Sequence, residues 1–467
     1  MSKPFPTDNP FLLGNYAPWP LEGDVHDAVV EGEVPRELCG TLWRNGPNPQ
    51  FAPRGAYHWF DGDGMVHAFR FRDGRVSYRN RWVRTARFQR ERAAGESLFG
   101  GLDNFAGSDP RLLANPTPNA SANTNIVWHA GRLLALVENS APHSLDPRTL
   151  ETNGLHDFDG RLIGPMTAHP KLDPETGEML FFGYSPMPPY LRYHVVDANG
   201  KVTRSVEIDV HAPTMMHDFI TTRNHVIFMV LPAVFQLDKI AEGGSPLAWR
   251  PEVGARVGVM PRDGGSADVR WFDIEPCYVF HPLNAYEDGD RIVADVCRYQ
   301  RLPLFENGEE VDGMEDLSAK LTRWTLDLAG GSLKEERLDD APSEFPRLDE
   351  RFAGLSYRHG YAAGVLRKSD EKLAGMNAIL HYDLKSGRRV QHQLASSDAA
   401  GEPIFVPRKA DSPEGDGFLL SVVYRGEEKR SDVLVLDAKN VGGAPLATVK
   451  LPHRVPFGFH GNWGQDV

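Results

Sequence analysis

The sequence predicts an all-β protein, most simply a β-propeller, and three observations carry that reading. Strand–turn–strand units run from one end of the chain to the other, amphipathic helices are few, and no polar or low-complexity linker divides the chain. A chain of 467 residues has the length of about three average domains, but closed all-β architectures run long as single units. One domain is therefore expected over residues 1–467, with residues 1–30 irregular.

The elements follow in order. VHAFRFRDGRVSYRNRWV places Asp73-Gly74 between two alternating runs, a strong cue for a hairpin. IVWHAGRLLALVE, HPKLDPETGEMLFFG, YHVVDANGKVTRSVEI, AYEDGDRIVADV, ILHYDLKSGRRVQHQL and FVPRKADSPEGDGFLLSVVY repeat the scheme. In each, β-branched and aromatic residues flank a turn rich in Asp, Gly, Asn or Pro. The 45 glycines and 36 prolines are thus punctuation spread along the chain. Short helices are expected around Arg87–Ser97 and Asp238–Glu242. Strands do not alternate with helices, which disfavours a parallel α/β sheet. With no WD or kelch signature, repeats do not give a blade number, and the periodicity also fits a barrel or tandem sandwiches.

Composition excludes several functions. A formal net charge of −13 argues against nucleic acid, whose phosphates call for a surplus of Lys and Arg. Cys39, Cys277 and Cys297 are odd in number and lack CxxC spacing, so no disulfide framework is expected, in keeping with a reducing cytosol. The start, MSKPFPTDNPFLLGNYAP, lacks the apolar core of a signal peptide, and no run reaches the roughly 18–20 apolar residues of a membrane span. A soluble, cytoplasmic protein is expected.

Among 17 histidines there is no HExxH, CxxC…H or HxH, so no short-motif zinc site is indicated. His26, His129, His143, His156, His381 and His392 lie in or beside polar turns or on polar faces, and ordinary hydrogen bonding accounts for them. Four others share a different setting. His169 in MTAHPKLDP, His217 in MMHDF, His281 in YVFHPLNAYE and His460 in FGFHGNW each stand at the edge of an apolar stretch, beside a Pro, Gly or Asp that bends the strand. A propeller brings such distant residues together on its axis. Four neutral imidazoles suit a late first-row divalent ion such as iron(II), copper or zinc. The tail around His460 also holds Phe457, Phe459 and Trp463, side chains that seek burial where most chains fray.

RNGPNPQF, YHWFDGDGMVHAFRF, ANTNIVWHAGRLLALVE, TAHPKLDPETGEM, MMHDF, FHPLNAYE, GEPIFVPR and FGFHGNW together resemble the carotenoid cleavage oxygenase family, in family order from about Glu31 to His460. The resemblance implies a seven-bladed propeller, with short helices and loops forming a cap over one Fe(II) ion. It implies that dioxygen, as co-substrate, cleaves a C=C bond of a hydrophobic alkene to two carbonyls. Carried over by position, the iron ligands are His169, His217, His281 and His460. Glu138, Glu344 and Glu402 stand behind them, where each would accept a ligand Nδ1–H and fix its tautomer. The resemblance implies no catalytic residue beyond the metal site.

The family divides by substrate into carotenoid or apocarotenoid cleavers and cleavers of phenylpropenoids and hydroxystilbenes. The second branch is expected to hold a 4-hydroxyl with a Tyr after the LFG-like stretch and a Lys just before the first Glu. Here Leu102 and Val137 stand at those places, aliphatic groups that fit a hydrocarbon tunnel. SPMPPYLRYHVVD also resembles the carotenoid branch, whereas TLETNGLHDFDG and DSPEGDGFLLSVVYR have counterparts in the other. A carotenoid or apocarotenoid is therefore the first expectation, and a phenylpropenoid or stilbene the alternative. Phe60, Leu102, Val137 and Phe280 are the expected tunnel residues, with Tyr184, Met187 and Tyr190 at its mouth. Apolar residues there would permit weak, peripheral contact with a membrane.

Overall fold

The computed structural model describes residues 3–102, 107–241, 245–303, 318–366 and 375–465. Its strands form antiparallel blades arranged in a ring, each running from an axial strand outward. The first blade is Gly461–Gln465, Gly40–Pro47, Gly64–Arg72, Arg75–Trp82 and Gly23–Val25. The second, third and fourth start from Asn125–His129, Lys171–Leu172 and Ile220–Thr221. The strand Ser332–Leu348 is shared: through Pro342 it closes the fifth blade, begun by Tyr278–Asp288, and from Ser343 it pairs with His359–Gly364 as the axial strand of the sixth. Ala399–Ala400 and Ile404–Pro407 open the seventh. Axial strands lie against one another from the fourth blade round to the second, and apolar clusters join the second to the third and the third to the fourth. The described residues therefore form a seven-bladed propeller.

The local chemistry anticipated from the turns is present. Asp73 and Gly74 have φ of 53° and 76°, and Ala130 and Gly131 of the next hairpin 48° and 74°, the backbone of type I′ turns. The chain closes the ring with both ends. Gly461–Gln465 pairs with Gly40–Pro47 in the first blade, and Val29–Gly32 pairs with Ala447–Lys450 at the rim of the seventh. Residues 1–30, expected to be irregular, thus include the edge strand Gly23–Val25 and the start of Val29–Gly32. Their partners lie far away in sequence, so local patterning does not mark them.

Stability comes from the seams between blades. Each of the seven seams holds its own apolar cluster; at the seventh-to-first seam, Phe418, Leu420 and Val435 meet Leu42, Phe69 and Phe71. Each fully buried aliphatic or aromatic side chain contributes roughly 1.5–3 kcal/mol. None of the three cysteines is in a disulfide.

Three excursions gather where the axial strands begin. The first, between Pro47 and Gly64, carries the 3-10 turn Trp59–Asp61. The second holds the helix Ala86–Ala94, capped by the Thr85 hydroxyl and stopped by Gly95 at φ 72°, short of the expected Ser97. The third is the hairpin Ala233–Phe235/Leu247–Trp249 around the helix Leu237–Ala241; the expected end of that helix, Glu242, lies outside the described residues.

Candidate metal centre

Each blade delivers one side chain of the expected set to the same end of the axis. His460, His169, His217 and His281 stand at or near the start of the axial strands of the first, third, fourth and fifth blades. Glu344 and Glu402 do so in the sixth and seventh, and Glu138 follows Arg132–Leu136, the second strand of the second blade. The four imidazoles are buried and offer ligand atoms all within 4.8 Å of one another.

Three carboxylates orient three of the rings. Glu138 Oε1 accepts from His217 Nδ1 at 3.1 Å, Glu344 Oε2 from His281 Nδ1 at 2.6 Å, and Glu402 Oε1 from His460 Nδ1 at 3.0 Å. With Nδ1–H committed to a carboxylate, Nε2 of each neutral ring carries a lone pair. Yet His217 Nε2 faces His281 Nε2, another such lone pair, at 3.3 Å. Lone pairs converging at that distance repel unless a shared Lewis acid lies between them, so this donor set fits a metal cation. Soft neutral nitrogens in a closed array suit a transition ion over Mg²⁺ or Ca²⁺.

The electrostatics favour neutral rings at His460 and His169. Burial pushes His460 down to about 4 despite Glu402, and burial together with the neighbouring rings holds His169 well below the usual range. His281 goes the other way: burial, the largest influence, disfavours its charge, but Glu344, Asp218 and Glu402 together outweigh it and raise the pKa. Burial also opposes the charge of Glu402, but Arg347, His460 and the Gly461 N–H hold its pKa down to about 2. Arg347 reaches Glu402 at 3.3 Å and also donates to the Gly461 carbonyl at 2.9 Å, tying the tail to the site.

The tail is held from the RNGPN stretch. Arg44 donates to the Pro456 and Gly458 carbonyls, Asn45 N–H to the His460 carbonyl at 2.9 Å, and Phe459 N–H to the Asn45 carbonyl at 3.0 Å. Gly458 packs so closely that an added Cβ would meet the Asn45 carbonyl oxygen at 2.7 Å. The final aromatics anchor a strand whose first neighbour is a candidate ligand.

Two cavities meet at the imidazoles. One, of about 620 Å³, lies beneath the cap and reaches His217, His281 and His460. Phe60, Leu102, Val137 and Phe280, the expected tunnel residues, all line it, with Met215 and Phe345. Tyr184 is also in its wall; Met187 is 58 % exposed, and Tyr190 packs instead against the seam between the third and fourth blades. The other cavity, of about 440 Å³, runs along the propeller axis beyond the rings and is bordered by His169, Lys171, Asp218, Asn284 and Arg347.

The sequence profile of the retinal pigment epithelial membrane protein family matches residues 16–465. The chain belongs to the carotenoid cleavage oxygenase family. Its relatives in this family include isoeugenol monooxygenase of Pseudomonas nitroreducens, 39 % identical over 98 % of each chain. Carotenoid 9,10(9′,10′)-cleavage dioxygenase 1 of Arabidopsis thaliana is 37 % identical, over 96 % of this chain and 89 % of that one. The crystal structure of Pseudomonas brassicacearum lignostilbene dioxygenase superposes with a TM-score of 0.94 at 34 % identity, covering all of both chains. Within this oxygenase family the present chain is thus similar both to an enzyme named for carotenoid cleavage and to ones named for isoeugenol and lignostilbene.

Sequence reasoning missed four contributors. Tyr184 donates to Glu138 Oε2 at 2.8 Å, where it was expected only at the mouth. Phe345, at φ 52°, stacks on His281 and gives its N–H to Glu344 at 2.7 Å. Arg347 and Asp218 lie three residues after Glu344 and one after His217, yet no periodicity distinguishes them from surface charges. Proximity to the motif histidines was the available signal. His129 and His143, expected in or beside polar turns or on polar faces, are buried; His129 flanks the Ala130–Gly131 turn, and its Nε2 lies 3.0 Å from the Gly177 carbonyl oxygen. No helix among the described residues is long and apolar enough to cross a membrane.

Proposed function

We propose that the chain acts as a single oxygenase domain that holds one Fe(II) ion with His169, His217, His281 and His460. With O2 it cleaves a C=C bond of a carotenoid or apocarotenoid to two carbonyl products. The observation that carries this reading is the cavity of about 620 Å³ that opens on the imidazoles through walls of Phe60, Leu102, Val137 and Phe280. The bound iron would supply the redox chemistry that activates dioxygen. The chain's own work is then positioning. Glu138, Glu344 and Glu402 fix the ring tautomers, and the aromatic and aliphatic walls align a flat polyene and keep water out. A plain polyene presents no proton to move, so its cleavage calls on no base. The Tyr184 hydroxyl, its pKa pushed well up by burial and by Glu138, is spent on that carboxylate.

The similarity to isoeugenol monooxygenase and to lignostilbene dioxygenase favours a second reading, cleavage of a phenylpropenoid or stilbene to an aromatic aldehyde such as vanillin. Against it stand Leu102 and Val137, which offer a phenolate no hydrogen bond. Exposed Met187 and Leu237 support weak peripheral contact with a membrane from which an apolar substrate would be drawn. Cysteines without disulfides support a cytoplasmic setting.

One assay tests the proposal. The Fe(II)-loaded protein is incubated in air with an apocarotenal and, separately, with isoeugenol or a hydroxystilbene, and the aldehydes are identified. Shortened apocarotenoid products are expected. Vanillin with no loss of apocarotenal would put the second reading first.

A further inference from the structure

Seven blades supply four imidazoles but only three glutamates, and the pairing leaves one ring over. Glu138 of the second blade reaches past the third to His217 of the fourth, so no glutamate is within hydrogen-bond distance of His169 among the described residues. His169 also differs in outlook: it borders the axial cavity and not the apolar one beneath the cap. A metal-bound imidazole needs an acceptor for its second N–H.

The axial cavity presents one. Asp218 Oδ2 lies 3.8 Å from His169 Nδ1. The Asp218 side chain is 3 % exposed, and both its oxygens are held: Lys171 Nζ is 2.8 Å from Oδ1 and 3.0 Å from Oδ2, and the Phe219 N–H donates to Oδ1 at 2.7 Å. The carboxylate therefore cannot turn away from the ring. A distance of 3.8 Å is too long for a direct bond, but it sets the carboxylate beside the ring N–H, and the axial cavity alongside has room for a water that bonds to both. We propose that Asp218, clamped by Lys171, is the fourth carboxylate of the centre, a positioning residue that orients His169 across the axial cavity. This rests on the reading of the four histidines as metal ligands.

An ordinary buried ion pair predicts something different, because it has no stake in the metal. The test follows transfer of Fe(II) from the full-length holoprotein to a coloured chelator, with the ligand-field spectrum of the Co(II)-substituted protein beside it. Asp218→Asn keeps the shape and removes the charge; it should release iron about 10–100-fold faster and change the cobalt spectrum. Lys171→Met loosens the clamp but leaves the acceptor, still held by the Phe219 N–H, and should release iron only about threefold faster than the wild type. Asp218→Glu, which restores the charge, should recover part of the retention, and it decides the matter if Asp218→Asn does not fold. Equal iron loss in Asp218→Asn and Lys171→Met, or wild-type retention in Asp218→Asn, would overturn the proposal and leave the ligand set intact. A wild-type protein that takes up neither metal would instead remove the ligand assignment itself.

Discussion

Glu344 Oε2 lies 2.6 Å from His281 Nδ1, the shortest of the three carboxylate–imidazole contacts. A short charge-assisted bond makes the ring a stronger donor at Nε2 and stops it from rotating. Glu344→Gln keeps the shape but replaces the anion with a neutral amide. Iron retention should fall about 10–100-fold, while the far-ultraviolet circular dichroism of the variant matches the wild type. Retention at the wild-type level would show that the contact is only structural.

His217 bonds through Nδ1 to Glu138 and faces two other rings through Nε2. His217→Ala should abolish iron binding and turnover together, read by metal analysis of the purified protein and by product formation. Full iron occupancy with normal cleavage would refute the ligand assignment.

The crossing of Gly458 over Asn45 and Gly46 delivers His460. A Cβ at Gly458 would sit 2.7 Å from a backbone oxygen and 3.2 Å from the Gly46 Cα, so the strand must move. Gly458→Ala should lower metal occupancy far more than it lowers the melting temperature of the metal-free protein, because the seams between blades are untouched. Loss of both in step would mean that the tail matters for folding and not for ligation.

The four histidines were legible because each stands where an apolar run meets a residue that bends the strand, a local signature. Their meeting on one axis was not local; it came from the family's wording. Glu138 and Glu402 were legible in the same way. Phe345 was not, because a left-handed backbone at a phenylalanine leaves no trace in periodicity. The edge strands Gly23–Val25 and Val29–Gly32 escaped because their partners, Tyr78–Asn80 and Ala447–Lys450, lie 50 and more residues away. Pairing at such range is settled by closure of the ring, and not by the strand's own residues.

Val137 is 9 % exposed and faces the apolar cavity. Val137→Lys places an amine there, and a buried amine without a matched partner is costly. The KM for an apolar polyene should rise about tenfold, and the melting temperature should fall. An unchanged KM would mean that the substrate does not pass this wall.

The His58 imidazole controls the cap through its neutral form. Its Nδ1 accepts the Phe60 N–H at 3.2 Å while Asp61 accepts the His58 N–H at 3.0 Å, a reciprocal cap on the turn that carries Trp59 and Phe60 into the cavity wall. Burial pushes His58 down to about 4, and burial first of all does the same to His143, His194 and His381. An imidazole depressed on folding takes up its proton more readily in the unfolded chain, so stability is fully present above an ordinary pKa of about 6.5 and is lost as pH falls towards 4. Melting temperature should therefore decline steadily between pH 6.5 and 4. His58→Asn keeps a capping acceptor that does not titrate, and its decline should be shallower than that of the wild type. An identical slope in the two proteins would show that protonation of His58 plays no part in the acid loss.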